Sequence, residues 1–310
     1  LKPSSDSPFI GYKFMKVMEE AGLPAGVINF VAGPGGAVGD TLVTHPKVRF
    51  ISFTGSREVG VHINEEAGKV KPGQLWLKRV VAEMGGKDSI VVDEETNIDE
   101  AVAGTTVSAF GFQGQKCSAC SRVIVHEKIY DKFVEMLAKR VDSITIGEAK
   151  TLSNYMGPVI NKSSMDKILS YIETGKKEGG RLVAGGTPAG GHGYYIRPTV
   201  IADVDPKATI AQEEIFGPVV TLQPFKDLEE ALSLANASSY GLAATVWTQD
   251  ITKANQLADR LESGIIWVNC WLLRDLRTPF GGIKNSGVGR EGGWEAMRFF
   301  TEPKNVCIQY

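Results

Sequence analysis

Apolar residues at positions Ile10, Phe14, Val17, Met18 and Ala21 fall on one face, which predicts an amphipathic helix that Gly22 and Pro24 end. Val27-Ile28-Asn29-Phe30-Val31 reads as a buried strand, residues 37–44 as a short helix stopped by Pro46, and residues 48–53 as another strand. Ser56 is placed to cap the next helix, whose first turn carries Glu58 where the macrodipole favours an acid, and residues 77–83 are again strand-like. The second part repeats the alternation with longer helices. Residues 128–143 put Ile129, Phe133, Met136 and Leu137 on one face, and residues 163–178 do the same with Met165, Ile168, Leu169 and Ile172. A glycine-rich surface loop at 185–193, a helix at 228–237 and strands at 243–248, 265–269 and 305–309 complete the pattern. Strands alternating with helices imply parallel β-α-β units, an α/β fold.

Composition narrows the function classes. The 310 residues are 43% hydrophobic and 23% charged, enough apolar material for about two domains. A boundary is expected at Gly85-Gly86, a pair that lets the backbone turn sharply. With 34 basic and 36 acidic residues the net charge is −2, and no basic block offers a surface to nucleic acid. No apolar run is long enough to span a bilayer, so no membrane role is expected. Four cysteines in so long a chain make no disulfide framework and fit a reducing compartment, with the cytoplasm as the expected location. The chain opens on Leu rather than Met, and further chain upstream is expected.

Candidate chemistry centres on Phe112-Gln113-Gly114-Gln115-Lys116-Cys117-Ser118-Ala119-Cys120. A thiol becomes a nucleophile when a positive field or a base lowers its pKa, and Lys116 with the following backbone amides could supply that field to Cys117. A buried structural cysteine is the plainer alternative. A Cys117/Cys120 redox or metal pair is the other, although no second C-x-x-C and no zinc-spaced histidine pair accompanies it, so a metal site is not expected. Gly33-Pro34-Gly35-Gly36-Ala37-Val38-Gly39 lies between strand and helix but lacks the spacing of a dinucleotide fingerprint, and a tight turn explains it equally well. Phe53-Thr54-Gly55-Ser56 is the better phosphate candidate, because Gly55 permits close approach and Ser56 opens a helix. Glu83, at a strand end before Gly85-Gly86, could be left in a crevice with a raised pKa as a general base; the alternative is a surface carboxylate.

Four motifs follow one another in order: Glu83-Met84-Gly85-Gly86-Lys87, Gly114-Gln115-Lys116-Cys117, Glu213-Glu214-Ile215-Phe216-Gly217-Pro218 and Pro279-Phe280-Gly281-Gly282. On them the whole chain resembles the aldehyde dehydrogenase superfamily, starting part-way through the family's length. The resemblance implies a Rossmann-type cofactor domain lacking its N-terminal part, an α/β catalytic domain and a C-terminal oligomerisation strand. In domain terms it implies residues 1–85 for the cofactor, 86–285 for the thiol, and 286–310 returning to the cofactor domain, in a homodimer or homotetramer. It makes Cys117 the nucleophile and Glu83 the base. It places the cofactor, NAD with NADP left open, at Lys2 and Ser5 for the adenosine ribose and at Gly55 and Ser56 for the pyrophosphate. Phe53, Gly60 and Met84 line the same site, with Glu214 at the nicotinamide ribose and Phe216 beside it. One oxyanion donor is implied to be the backbone amide of the nucleophile, the other an Asn from an N-terminal part outside this sequence.

Ser5 stands where many relatives carry Glu, which relaxes discrimination against a 2′-phosphate. From Leu1 to about Gly186 the chain is similar to the 1-pyrroline-5-carboxylate (glutamate semialdehyde) dehydrogenases, as in Trp76-Leu77-Lys78-Arg79-Val80-Val81-Ala82-Glu83. Residues 269–282 instead resemble the hydroxymuconic and aminomuconic semialdehyde dehydrogenases. Both imply oxidation of a semialdehyde that carries a carboxylate, glutamate γ-semialdehyde first and a muconic semialdehyde as the alternative. Arg274 and Arg277 are the candidate carboxylate partners and Phe280 a candidate tunnel residue, the alternative for the arginines being ion pairs that hold structure. A reading of another class is a non-catalytic assembly module pairing through Asn305–Gln309; a thiol-disulfide protein is a weaker one.

Overall fold

A computed structural model describes residues 1–310 as two compact units, one of residues 1–53 and 58–82, the other of residues 54–57 and 83–310. In the smaller unit the first helix runs Pro8–Glu20, with proline in its first turn where no amide partner is lost. Its apolar face is present as predicted but is not buried in this chain, Ile10 and Val17 standing largely exposed. Residues 27–31, predicted as a buried strand, are not assigned as one and are only partly buried: their backbone bonds to this chain's first residue, Val31 N–H donating to Leu1 O at 3.0 Å and Leu1 N donating to Asn29 O at 2.6 Å. Alternation alone does not make a strand without a partner strand to take its backbone groups. The predicted helix at 37–44 becomes a π-helical turn, Gly35–Gly39, followed by one α-turn, Asp40–Thr44. Strands β1 (Phe50–Thr54) and β2 (Arg79–Glu83) are neighbours in one sheet, connected through the helix Arg57–Ala67.

The larger unit is built on seven strands: β3 (Asp88–Val92), β4 (Cys120–His126), β5 (Arg181–Ala184), β6 (Thr199–Ala202), β7 (Val219–Phe225), β9 (Ala243–Trp247) and β10 (Ile265–Val268). A separate pair joins β8 (Tyr240–Gly241) to β11 (Ile283–Lys284). The sheet order is β10-β9-β3-β4-β7-β6-β5, parallel throughout except for β5, which runs antiparallel to β6 at the edge. Helices cover both faces. Ile90 and Val92 point into one core with Phe110, Phe133 and Leu137, while Val91 between them points into the other with Leu232 and Leu257. Burial on both faces is why the central strands read as continuous apolar runs rather than alternating ones. The helices Tyr130–Asp142 and Lys162–Lys177 lie where the one-face spacing predicts them, the second capped by Asn161, which accepts from Ser164 N at 2.8 Å. The helix Ile98–Phe110 has no such stripe in sequence because it is apolar on most sides and largely buried.

Residues 286–310 cluster with the larger unit, and Gly287–Val288 (β12) forms the third strand of the β1-β2-β12 sheet. Past the helix Gly293–Phe300 the chain is exposed and without secondary structure, so Asn305–Gln309 is not a strand here; an end strand forms only against another strand, and this chain supplies none. No helix is long and apolar enough to cross a membrane.

Candidate active site

The segments that carry the motif residues converge at the amino ends of adjacent parallel strands. Gly85-Gly86 leads into β3, Cys117 lies just ahead of β4 and Glu214 just ahead of β7, and these three strands are consecutive in the sheet. Open α/β sheets more often bind ligands beyond the carboxyl ends of their strands, so this placement is not one that strand order predicts.

Two glycines make the convergence sterically feasible. A Cβ at Gly85 would lie 2.1 Å from Glu214 Oε2, and one at Gly86 would lie 2.4 Å from the carbonyl oxygen of Cys117. Gly86 N–H donates to Glu214 Oε1 at 3.0 Å. A residue with any side chain at either position would part the glutamate from the strand end or push away the cysteine loop. The Gly85-Gly86 pair expected to mark a boundary is thus where three active segments touch. Met84 N–H, donating to Ser286 O at 2.9 Å, ties this stretch into the larger unit.

Cys117 is half-buried beside Leu242, Trp267 and Phe280, and all four cysteines are free. Burial pushes its thiol up to about 11, with the Asp88, Glu83 and Glu214 carboxylates adding to the rise and the amide of Ser118 opposing it. The field expected from Lys116 is not delivered to the sulfur: that ammonium sits over the Trp271 ring, 5.0 Å from its centre. Trp271 in turn donates to Ser118 O at 3.3 Å, fixing the indole beside the thiol loop. Cys120, three residues on, is buried at the start of β4 and its thiol, donating to Arg122 O at 3.5 Å, is also raised by burial. Neither sulfur is set up as a low-pKa redox pair.

Glu83 ends β2 at 2% exposure, and neither carboxylate oxygen has a hydrogen-bond partner. Burial, reinforced by Glu291 and opposed by Arg290 and Arg274, raises it to about 8. A Cβ on Gly281 would stand 2.5 Å from Glu83 Oε1, so the last glycine-rich motif is needed to leave room for the base. The crevice reading of Glu83 therefore replaces the surface alternative.

Three buried charged residues at the same strand ends escape sequence reasoning. Lys87 and Asp88 each carry a buried polar atom without a partner, Nζ and Oδ2, while Asp88 Oδ1 accepts from Ala243 N at 2.9 Å. Burial lowers Lys87 to about 7 and raises Asp88 well above the usual carboxylate range. Arg122 points all its used donors at main-chain carbonyls, Lys87 O at 3.1 Å and Leu234 O and Ala235 O at 2.8 Å, closing the end of the helix Leu228–Asn236. Nothing in residue type or spacing marks these side chains as buried; only the Gly-Gly turn in front of them hints at it.

The expected cofactor residues divide between the two units. In the smaller one, Ser5 Oγ donates to Gly33 O at 3.3 Å and the Lys2 stem lies beside Gly39, 3.9 Å from where its Cβ would be. The two candidate ribose residues thus border the Gly33–Gly39 stretch that spacing alone left as a plain turn. Phe53 is half-buried on β1 and Gly60 is buried in the helix that follows. In the larger unit Gly55 N–H is used by Glu83 O at 3.0 Å, so that amide is not free for a phosphate, while Ser56 stands exposed at the helix start. Phe216 is partly exposed beside Glu214 with a left-handed backbone, φ 57°. An acidic group beside an aromatic ring and a separate hydroxyl–ammonium pair fit the ribose and nicotinamide chemistry of a dinucleotide.

On the loop after β10, the two arginines differ. Arg277 is neutralised by its own neighbour: Nε donates to Asp275 Oδ1 at 2.9 Å and Oδ2 at 3.0 Å, and the side chain is 89% exposed. Arg274 instead has its guanidinium carbon over the buried Phe280 ring, 4.0 Å from its centre, and its charge reaches Glu83. Arg277 thus meets a local carboxylate on the surface, and of the two arginines Arg274 lies nearer the buried Glu83.

The model of the aldehyde dehydrogenase family matches residues 1–306, and the chain belongs to that family. It is 50% identical over 313 aligned residues to a 1-pyrroline-5-carboxylate dehydrogenase of Geobacillus sp. strain WCH70 and 51% identical to 1-pyrroline-5-carboxylate dehydrogenase 2 of Bacillus subtilis strain 168. Each match takes in 100% of this chain and 61% of the relative, so the chain spans less than two thirds of the length of the curated proteins it matches. Among solved structures it superposes on a Thermus 1-pyrroline-5-carboxylate dehydrogenase with bound NAD at TM-score 0.93 and 45% identity, over 97% of this chain and 58% of that one. An aldehyde dehydrogenase from Bacillus cereus in complex with NAD+ superposes equally well, TM-score 0.93 at 41% identity, over 97% and 60% of the two chains.

Proposed function

We propose that the protein oxidises a carboxylate-bearing semialdehyde to the corresponding acid, with L-glutamate γ-semialdehyde as substrate. The observation that carries this reading is the buried, partnerless Glu83 carboxyl on the same Gly-Gly turn that seats Cys117. The Cys117 thiol gives up its proton to water as its sulfur adds to the aldehyde carbon, and the carbonyl oxygen becomes the thiohemiacetal oxyanion, steadied by the backbone amide at Cys117. By the family resemblance Lys2, Ser5, Phe53, Gly60, Met84, Glu214 and Phe216 are the residues that would hold NAD. Gly55 and Ser56 complete that set. When bound, the nicotinamide supplies the acceptor for the hydride that leaves the former aldehyde carbon. A thioester on Cys117 remains. Glu83 takes a proton from water as it attacks the thioester, releasing the acid and returning the thiol. With a proton affinity near neutrality, Glu83 can accept that proton and give it up again within each cycle.

Recognition of the substrate carboxylate falls to Arg274, whose guanidinium sits over Phe280 and whose type suits a two-pronged bond. The second reading, a muconic semialdehyde, rests on the sequence of residues 269–282 alone, whereas the 1-pyrroline-5-carboxylate dehydrogenase matches take in the whole chain. The assignment of 1–85 to the cofactor and 86–285 to the thiol, a cytoplasmic homodimer or homotetramer, and pairing through Asn305–Gln309 belong to the same proposal. The test is kcat/KM for glutamate semialdehyde, a muconic semialdehyde and a neutral aldehyde of equal length on Arg274→Met and Arg277→Met. Arg274→Met is expected to lose roughly ten- to a hundredfold on the acidic substrates only, the scale of a hydrogen bond to a charged group, and Arg277→Met to stay within about threefold. Equal losses on acidic and neutral aldehydes would remove the carboxylate from the specificity.

A further inference from the structure

Three consecutive residues before the nucleophile have left-handed backbones: Phe112 (φ 54°, ψ 35°), Gln113 (φ 58°, ψ 25°) and Gly114 (φ 64°). Glycine takes that conformation freely, whereas Phe and Gln do not, so the surrounding structure must impose it. Burial does not, because the Phe112 side chain is 69% exposed. The turn is held instead by its two carboxamides. With its carboxamide oriented to satisfy both ends, nitrogen towards Phe112 O and oxygen towards Gly157 N, Gln113 donates to the former at 2.9 Å and accepts from the latter at 2.6 Å. Gln115 Oε1 accepts from Ile160 N at 3.1 Å. The segment they grip is itself fixed, Val159 N–H donating to Tyr194 O at 2.9 Å and Gly147 N–H to Met156 O at 3.0 Å. On the other side Gly114 lies against the Gly217 carbonyl, where a Cβ would come within 2.3 Å.

We propose that Gln113 and Gln115 are positioning residues, clamping a left-handed turn to residues 157–160 so that the Cys117 backbone is kept against Gly86 and its thiol in its half-buried place beside Trp267 and Phe280. Cys117 follows Gln115 by two residues, and its carbonyl already fills the space above Gly86, so a turn relaxing to right-handed geometry would carry the sulfur away from Glu83's strand end. Neither carboxamide touches substrate; each acts through the loop it holds.

The inference rests on Cys117 as the nucleophile, and its test reads the thiol's place directly. Wild type, Gln113→Met, Gln115→Met and Gln115→Glu would be labelled with iodoacetamide, the alkylation of Cys117 and Cys120 followed separately by peptide mass spectrometry, and kcat and KM for aldehyde measured alongside. In each Met variant Cys117 is expected to label about tenfold faster while buried Cys120 does not. Kcat is expected to fall about tenfold or more with KM nearly unchanged, as for a reacting atom misplaced by about an ångström. Gln115→Glu keeps an acceptor oxygen for Ile160 N–H and is expected to label no faster than wild type. Unchanged Cys117 labelling in both Met variants, or Cys120 labelling that rises in step with Cys117, would overturn the clamp. Absence of aldehyde oxidation in wild type would instead count against the proposed reaction, and would leave the labelling comparison standing.

Discussion

Glu83 and Cys117 are both held in their protonated forms by burial, and each carboxylate or thiolate raises the cost of ionising the other. Removing the glutamate charge should therefore lower the thiol pKa. Glu83→Gln is expected to alkylate faster at Cys117 than wild type at pH 9, where Glu83 is ionised, and at the same rate near pH 6, where it is not. Stability moves the same way. The folded pKa of Glu83, about 8, lies above its ordinary value of 4.5, so the proton it retains favours the fold at low pH and this contribution is lost as pH rises through 8. Glu83→Gln should then melt higher than wild type at pH 9, with the gap closing towards pH 5. A melting gap of the same size at both pH values would show that ionisation of Glu83 is not what the fold opposes. The residue types of the site were legible, since a Cys after Gly-Gln-Lys and a Glu before Met-Gly-Gly carry their chemistry in their neighbours. What could not be read was the field: Lys116 stands next to Cys117 in sequence but spends its charge on Trp271.

Among elements, the Gly85-Gly86 turn does the most to assemble the site. Gly85→Ala would drive a methyl group into the Glu214 carboxylate, 2.1 Å from Oε2, without touching the thiol loop. It is expected to weaken NAD binding about tenfold or more, the scale of one hydrogen bond to a charged group, while Cys117 labelling stays at the wild-type rate. Unchanged NAD affinity by titration would separate Glu214 from the cofactor. Sequence periodicity served helices that bury one stripe, such as Tyr130–Asp142, and failed for Ile98–Phe110, which is covered on most sides. It over-read residues 27–31, whose backbone pairs with Leu1 rather than with a strand, and it missed β3 and β4, whose two-sided burial erases alternation. The convergence of Gly86, Cys117 and Glu214 depends on β3, β4 and β7 being neighbours, a long-range pairing that no local pattern announces.

At the scale of the whole molecule, two compact units each carry part of what the family's reaction requires: the thiol and the base lie together in the larger, and candidate cofactor residues lie in both. The central claim is that Cys117 carries the acyl group and Glu83 removes it. Glu83→Gln should slow release of the thioester more than its formation, so the acylated enzyme should accumulate. The most direct measurement is to mix this variant with NAD and glutamate semialdehyde, quench in acid within a single turnover, and locate the adduct by peptide mass spectrometry. A glutamyl group on Cys117, absent without NAD and far scarcer in wild type, is the predicted result; an unmodified Cys117 in a variant that still turns over at the wild-type rate would contradict it.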